Sequence, residues 1–291
     1  MKKTFVMMTL LGLLAMLVSA MATSAQDDMM MTPSVTVSEQ NVLDGTVTID
    51  SVVAVEPGFI VIHADSGEGA PGPVIGFAEL AVGENTNVLV DIDAAAATPT
   101  LFAMLHLDTG EAGVYEFGDG SGEDGPVIVD GAPVTPAFTV SVINMADQFV
   151  DMNTGIAASA TIDVPGWLVI HAGVDGAPGP VLGFAALEAG INTDVTVELD
   201  GELTDTLFPM MHVDTGEAGA YEFGTVDGAD GPVVLNGAVS TVAVNTVPSM
   251  RVDPQIVMGG DGMEMMDMAP TLVADSVLAE VDGWLVVHAD N

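Results

Sequence analysis

The chain repeats itself at the length of a whole domain. The heptapeptide GFIVIHA at 58–64 returns as GWLVIHA at 166–172 and as GWLVVHA at 283–289. The longer block LHLDTGEAGVYEFG at 105–118 returns as MHVDTGEAGAYEFG at 211–224. His171 follows His63 by 108 residues (171 − 63), and His212 follows His106 by 106 (212 − 106). That period is too long for a solenoid unit and suits a small domain with its own core. Catalytic constellations are usually built once per chain. Two copies with the same polar residues therefore read first as a structural or binding array.

Within a copy, short β-branched runs are broken by Gly, Pro and Asp. Apolar runs fall at 35–37, 46–55, 59–64, 74–80, 87–92, 101–107, 114–117, 127–129 and 138–142. Turn-forming residues separate them, among them Asp44-Gly45, Pro57-Gly58 and the stretches 67–73 and 118–126. This pattern predicts an all-β fold of tandem immunoglobulin-like β-sandwich domains, with the third copy truncated. Sustained helical periodicity is lacking, and Ala94–Ala97 is a brief exception. The strand 167–171 is apolar at both parities, which predicts burial on both faces in mid-sheet. Trp167 is then expected to fill the place of a sandwich-core tryptophan. The GAPGPV segments at 69–74 and 176–181 read as turns entering a strand.

The predicted organisation is a signal peptide at 1–25, a linker at 26–33, repeats at 34–140 and 141–248, and a partial third repeat at 249–291. Lys2 and Lys3 precede an apolar run and then small residues, the pattern of a secretory leader. No later run is long enough to cross a bilayer, so no span is expected in the mature chain. The third copy carries a Met-rich insertion at 258–268 and stops at Asn291, before its second half. An open apolar edge is an aggregation hazard, so a fragment of a longer protein is the expectation there.

Charge excludes whole classes of partner. The 42 Asp and Glu face 3 Lys and Arg, a net charge of −39. Loss of Lys2 and Lys3 with the leader takes this to −41. Nucleic acid is ruled out, since phosphate contacts need basic residues. The carboxylates have no internal partners and must be hydrated, screened by salt or neutralised by cations. The expected partners are cations and extracellular or cell-surface components. The chain contains no cysteine, so neither a disulfide framework nor a thiolate metal ligand is available.

All five histidines occupy repeat-equivalent positions. His63 and His106, and likewise His171 and His212, form one pair per copy that could ligate a metal, with Asp108 or Asp214 as an oxygen donor. The strand count opposes this. Two strands intervene between those ending at His63 and His106, so the two run antiparallel and the histidines fall at opposite ends. The competing expectation is two structural histidines, each hydrogen-bonded to a turn. The acidic block offers a second metal reading. Asp108, Glu111 and Glu116, with Asp214, Glu217 and Glu222 in the second copy, surround glycines and suit an oxygen-seeking ion such as Ca²⁺. The spacing departs from the EF-hand loop, because Gly110 and Ala112 donate no side-chain oxygen. A plain acidic hairpin, anchored by Tyr115 and Tyr221 through packing and one hydroxyl hydrogen bond, is the alternative. Methionines cluster at 29–31 and 258–268, and thioethers with histidine bind Cu(I). A type 1 copper centre is excluded by the missing thiolate. Nucleophile and zinc-protease motifs are absent, so no catalytic residue and no resident cofactor beyond Ca²⁺ is predicted.

The pattern GWLVIHA, G-x-VLGF, LFPMMHVDTGEAGAYEFG and DGPVV resembles a family of uncharacterised repeats in exported and cell-surface proteins of halophilic archaea and some bacteria. The resemblance implies location and architecture and carries over no catalytic residue. The reading that follows is a secreted or surface-displayed acidic protein with a structural, adhesive or spacer role. The rivals are an extracellular cation-binding module and the accessory domains of a larger extracellular enzyme.

Overall fold

A computed structural model describes residues 31–118, 120–150, 153–251, 273–274, 276–279 and 283–287. The expected leader, the Met-rich insertion at 258–268 and His288 lie outside them. The first copy contains β1 (Ser34–Thr36), β2 (Gln40–Val42), β3 (Thr46–Ala54), β4 (Gly58–Asp65), β5 (Pro71–Leu80), β6 (Gly83–Asp91), β7 (Thr100–Leu107), β8 (Ile128–Val129), β9 (Ala132–Pro133) and β10 (Ala137–Asn144). The second contains β11 (Thr154–Ile162), β12 (Gly166–Val174), β13 (Ala177–Leu187), β14 (Gly190–Glu198), β15 (Thr206–Val213), β16 (Val234–Leu235), β17 (Ala238–Val239) and β18 (Val244–Asn245). Beyond them β19 (Ser249–Arg251) pairs antiparallel with β20 (Ser276–Leu278). Among the described residues the helical content is one 3₁₀ turn, Ala94–Ala96, where the alanine run stands.

Each copy is a sandwich of a three-stranded and a four-stranded sheet. In the first, β1-β3-β6 faces β5-β4-β7-β10. In the second, β11 and β14 continue from the end of β10, and β13-β12-β15-β18 forms the other layer. Each sandwich has its own interior. Val47, Ile49, Val52, Ile60, Ile62, Leu101, Ala103 and Leu105 meet in the first copy. Ala160, Ile162, Leu168, Ile170, Val197, Leu207 and Met211 meet in the second. Burying each Val, Leu or Ile side chain contributes about 1.5–3 kcal/mol. The cores are separate, so the tandem reading of the repeat holds at the level of packing.

β10 joins the copies without a linker. Residues 137–139 pair with β7 of the first copy, 140–142 run parallel to β2, and 142–144 pair with β11 of the second. The strand that closes one sandwich thus opens the next. A polar seam lies beside it. The Ser141 hydroxyl contacts Asn41 Oδ1 at 2.6 Å and Ser240 Oγ at 2.9 Å. Asn41 Nδ2 donates to the Ala238 carbonyl at 3.0 Å, and Thr161 Oγ1 donates to the Ala97 carbonyl at 3.0 Å. Ser141, Ser240 and Thr161 are buried, so the Ser141–Ser240 and Thr161–Ala97 bonds are shielded from competing water, while the Asn41–Ala238 bond is exposed.

Two expectations are corrected here. The run 114–117 forms no strand and belongs to a loop. Trp167 does lie on a central strand buried on both faces, but it is not a tryptophan of the inter-sheet core. Side chains alternate along a strand. Leu168 and Ile170 take the core face, which sends Trp167, Val169 and His171 to the outer one. In the third copy, residues 283–287 lie outside strands, and Trp284 is 96% exposed.

Candidate functional site

The outer face of the four-stranded sheet carries the repeated polar residues. In register, Phe59 faces His106, Val61 faces Met104 and His63 faces Phe102. Directly opposed residues of an antiparallel pair share a face. These six therefore lie on the side away from the sandwich core. The second copy reproduces the set as Trp167 with His212, Val169 with Met210, and His171 with Phe208. The loop after β7 folds back and covers this face. Phe59 packs edge-on against Tyr115 (ring centroids 5.3 Å apart) and Phe77 (6.0 Å), and Phe117 stands edge-on to His106 at 4.8 Å. Trp167, Phe184, Tyr221 and Phe223 do the same in the second copy. Each copy thus has a second, smaller aromatic interior under its acidic loop.

The histidines of one copy are not at opposite ends. Their rings stack, with centroids 5.8 Å apart in both copies. β4 and β7 run antiparallel as expected, but the histidine rings meet instead of lying apart. Both residues stop short of their strand ends, and both side chains point to one face. A break in regular pairing with β5 occurs on either side of His63, and the same irregularity brackets His171 against β13. Such bulges re-aim a side chain.

Each imidazole is tethered through Nδ1. His63 Nδ1 donates to the Gly72 carbonyl at 2.9 Å and His106 Nδ1 to the Asp124 carbonyl at 2.7 Å. His171 and His212 repeat this with Gly179 (2.7 Å) and Asp230 (2.6 Å). His106 and His212 thus bond to loop carbonyls, whereas His63 and His171 bond to carbonyls within β5 and β13 rather than to turns. A carbonyl only accepts, so Nδ1 carries the proton and Nε2 of the neutral ring keeps a lone pair. All four Nε2 atoms are buried without a hydrogen-bond partner. His106 and His212 are fully buried, and His63 and His171 are each 5% exposed. Burial pulls the pKa of His63 and His106 below the usual histidine value, against the opposing effect of the carbonyl each bonds. Burial takes His212 down to about 4, opposed by the Asp230 carbonyl, and the neighbouring His171 adds to the fall.

The acidic loop is organised by one of the acids of the 118–124 stretch. Asp124 is fully buried at a left-handed backbone position, φ 52°. Its carboxylate accepts the N–H of Thr109 at 2.7 Å and of Glu116 at 2.6 Å, while its own N–H donates to Thr109 Oγ1 at 2.8 Å. Asp230 does the same for Thr215 and Glu222. Its signal was available in the repeated Asp-Gly-Pro triplets at 124–126 and 230–232. The other loop acids brace turns. Asp108 Oδ2 accepts from the Gly113 N–H at 2.9 Å, and Glu116 Oε2 from the Glu111 N–H at 2.8 Å. Asp214 and Glu222 hold Gly219 and Glu217 in the same way. Glu111 and Glu217 point outward and are exposed. Asp108 Oδ1 and Asp214 Oδ1 are buried without partners. Among the described residues no three His, Asp or Glu side chains gather as a metal-holding group.

Tyr115 and Tyr221 anchor the loop by packing, as foreseen, but not by a hydroxyl hydrogen bond. Both hydroxyls are buried and unpartnered. Burial, with the nearby Asp124 or Asp230 carboxylate, raises each phenol to about 12. Met104 and Met210 were missed. Their signal is the Met-x-His spacing in MLH and MMH, which places both side chains on one face of a strand.

Comparison with known proteins fits this architecture. Residues 33–141 and 141–246 each match the family described as Domain of unknown function (DUF7282), the two matches meeting at Ser141 in β10. Cell surface glycoprotein 2 of Haloarcula hispanica is 29% identical over 206 residues, which cover 69% of this chain and 20% of that protein. Cell surface glycoprotein 1 of the same organism is 34% identical over 114 residues, covering 38% of this chain and 12% of that protein. The chain thus spans about a fifth or less of the length of these relatives. They agree with the exterior location read from the sequence, and the chain is a surface-displayed protein. Among the described residues no helix is long and apolar enough to cross a membrane. Two consecutive matches across most of its length make the chain a member of the DUF7282 family.

Proposed function

We propose that this chain is a non-catalytic structural element of the cell exterior, in which immunoglobulin-like sandwiches in series act as a stiff, hydrated acidic spacer. One observation carries the reading: β10 belongs to both copies. A flexible tether would leave the copies free to reorient. A strand hydrogen-bonded to β7, β2 and β11 resists that motion, since bending it breaks ladder bonds on both sides. The half-buried Asn41–Ser141 and buried Ser141–Ser240 contacts oppose it further. The acid excess gives such a spacer a hydrated surface that repels like-charged neighbours. An exported leader at 1–25 and partners among other extracellular components fit the same reading.

Distance measurement between the copies tests it. The chain lacks cysteine, so Val82→Cys and Val234→Cys, at two exposed positions, accept spin labels cleanly. A rigid junction gives one narrow distance distribution that persists from low to molar salt. A broad distribution, or one that shifts with salt as a chain of independent charged beads would, overturns the spacer reading.

A further inference from the structure

We propose that each copy holds one monovalent copper ion, Cu(I), between the paired histidines, with His63, His106 and Met104 as ligands in the first copy and His171, His212 and Met210 in the second. This goes beyond the spacer role and does not depend on it.

The pairing of unmet needs is the first ground. Leaving a buried polar atom without a partner costs about 1–3 kcal/mol. Here two imidazole Nε2 atoms share that condition within one site, and the second copy repeats it. The ring centroids stand 5.8 Å apart in both copies, a separation that one ion with bonds of about 2 Å spans when both Nε2 atoms turn inward. Each Nδ1–H is held by a backbone carbonyl, which fixes the tautomer and turns the lone pair of Nε2 away from that carbonyl. Metal-bound histidines are oriented by this kind of outer contact. The strand irregularity at His63 and at His171 supplies the local bend that turns each ring toward its partner.

The donor chemistry selects the ion. Met104 faces Val61 in register, between the levels of His63 and His106, and Met210 holds the same place in the second copy. Both methionines are more than nine-tenths buried. Two neutral imidazoles and a thioether form a soft set without formal charge, suited to Cu(I). A dication buried here would want an anionic ligand, and no Asp or Glu joins either histidine pair to make a group of three among the described residues. The Asp124 and Asp230 carboxylates are already committed to backbone N–H groups. The aromatic cover of Phe117 and Tyr115, or Phe223 and Tyr221, excludes water from the site, which favours the reduced ion.

The test is anaerobic titration of the full chain with Cu(I), in competition with a chromophoric Cu(I) chelator. Two tight equivalents are expected. His63→Gln and His171→Gln should each remove one equivalent, and the double variant both. Met104→Leu and Met210→Leu conserve volume and should keep the fold by circular dichroism while weakening one site each by about 10-fold or more. Should a histidine variant misfold, the methionine variants carry the test alone. X-ray absorption at the copper edge should show nitrogen and sulfur scatterers together, and lose the sulfur in Met104→Leu/Met210→Leu. Cu(I) uptake unchanged in the double histidine variant would assign the metal to the Met-rich segment at 258–268 and overturn the proposal. So would Zn²⁺ displacing Cu(I) at equal concentration, or no uptake against the chelator.

Discussion

Replacing Asp230 by alanine removes the carboxylate that fastens the second copy's acidic loop to its sheet. The loss can be worked from two bonds, Thr215 N–H to Oδ1 at 2.8 Å and Glu222 N–H to Oδ2 at 2.5 Å. A hydrogen bond to a charged group contributes about 1.5–3 kcal/mol, so the pair represents about 3–6 kcal/mol. Alanine must also accept φ 47°, a left-handed conformation that costs about 1–2 kcal/mol without a side chain that hydrogen-bonds locally. The loop can escape by detaching, after which water satisfies both N–H groups. The measured loss is therefore capped by the docking free energy of the loop, and we expect about 3 kcal/mol. Asp230→Asn keeps one acceptor and tolerates the backbone, so it should lose about half as much. Trp167 reports the event directly. It is 6% exposed and packs on Tyr221 at 5.5 Å. In a Trp284→Phe background, which silences an exposed tryptophan, Asp230→Ala should red-shift Trp167 emission and open it to acrylamide quenching. Far-UV circular dichroism should persist, because Leu168 and Ile170 pack on the opposite face. Unchanged emission and quenching would refute the claim that this carboxylate holds the loop.

Glycine substitutions separate close approach from mere sequence repetition. A Cβ on Gly58 would stand 2.1 Å from the His106 carbonyl oxygen, and one on Gly166 2.3 Å from that of His212. Either alanine should cost about 3 kcal/mol in chemical denaturation, whereas Gly125→Ala and Gly231→Ala, which meet open space, should be neutral. The depressed pKa of His212 makes stability pH-dependent with a definite sign. Between its ordinary value near 6.5 and its folded value of about 4, the unfolded chain binds the extra proton. The contribution is complete above about pH 6.5 and is lost as pH falls through about 4. At about 1.4 kcal/mol per pKa unit it reaches roughly 3 kcal/mol. The slope should flatten in His212→Gln relative to the parent, a difference that cancels the titration of the many carboxylates. Raising NaCl from 0.1 to 1 M shortens the screening length from about 10 to about 3 Å. With a net charge of −39, the melting temperature should rise steeply over that range. A flat response would mean that self-repulsion is not a leading cost of folding.

Most of the architecture was legible because two signals coincide: β-branched runs of strand length and a repeat of domain length. The strand at 58–64 is the clearest case. Apolar residues at both parities announced burial on both faces, and β4 is covered by the sandwich core on one side and by the acidic loop on the other. What parity alone does not give is which face a residue takes. A tryptophan on a central strand suggests the core of an immunoglobulin-like sandwich. Leu168 and Ile170 occupy that side, and the wide indole instead fills the space under the loop, beside Phe184 and Tyr221. The run at 114–117 misled for a related reason. Tyr115 and Phe117 are apolar at strand spacing, yet they act as plugs from a loop whose backbone is satisfied by the Asp124 and Glu116 carboxylates rather than by a ladder.

The histidine site shows where a topological argument runs out. Direction along a sheet was deduced correctly, and from it the histidines were sent to opposite ends. That step treats a residue as a point at the end of a strand. His63 pairs with Phe102 and His106 with Phe59, so their backbones are indeed four positions apart. Four steps are about 14 Å along an extended chain. Yet the rings close to 5.8 Å, because each imidazole leans inward over the Val61–Met104 pair and is tethered from behind by a backbone carbonyl, Gly72 of β5 for His63 and Asp124 of the acidic loop for His106. Gly72 and Asp124, which supply those carbonyls, lie 9 and 18 residues from the histidines they hold. Neither is a residue type that advertises such a role. The inward lean is therefore imposed by backbone carbonyls, the feature least constrained by side-chain identity and so least visible in a sequence. The repeat carries the same information in another form: both copies keep the pair, the Met-x-His spacing and the Asp-Gly-Pro triplet, although they differ at Phe59 and Trp167 within the same small interior. A packing role alone tolerates exchange of one apolar or aromatic side chain for another, as that position illustrates. Retention of two buried nitrogens without partners in both copies is what packing does not account for.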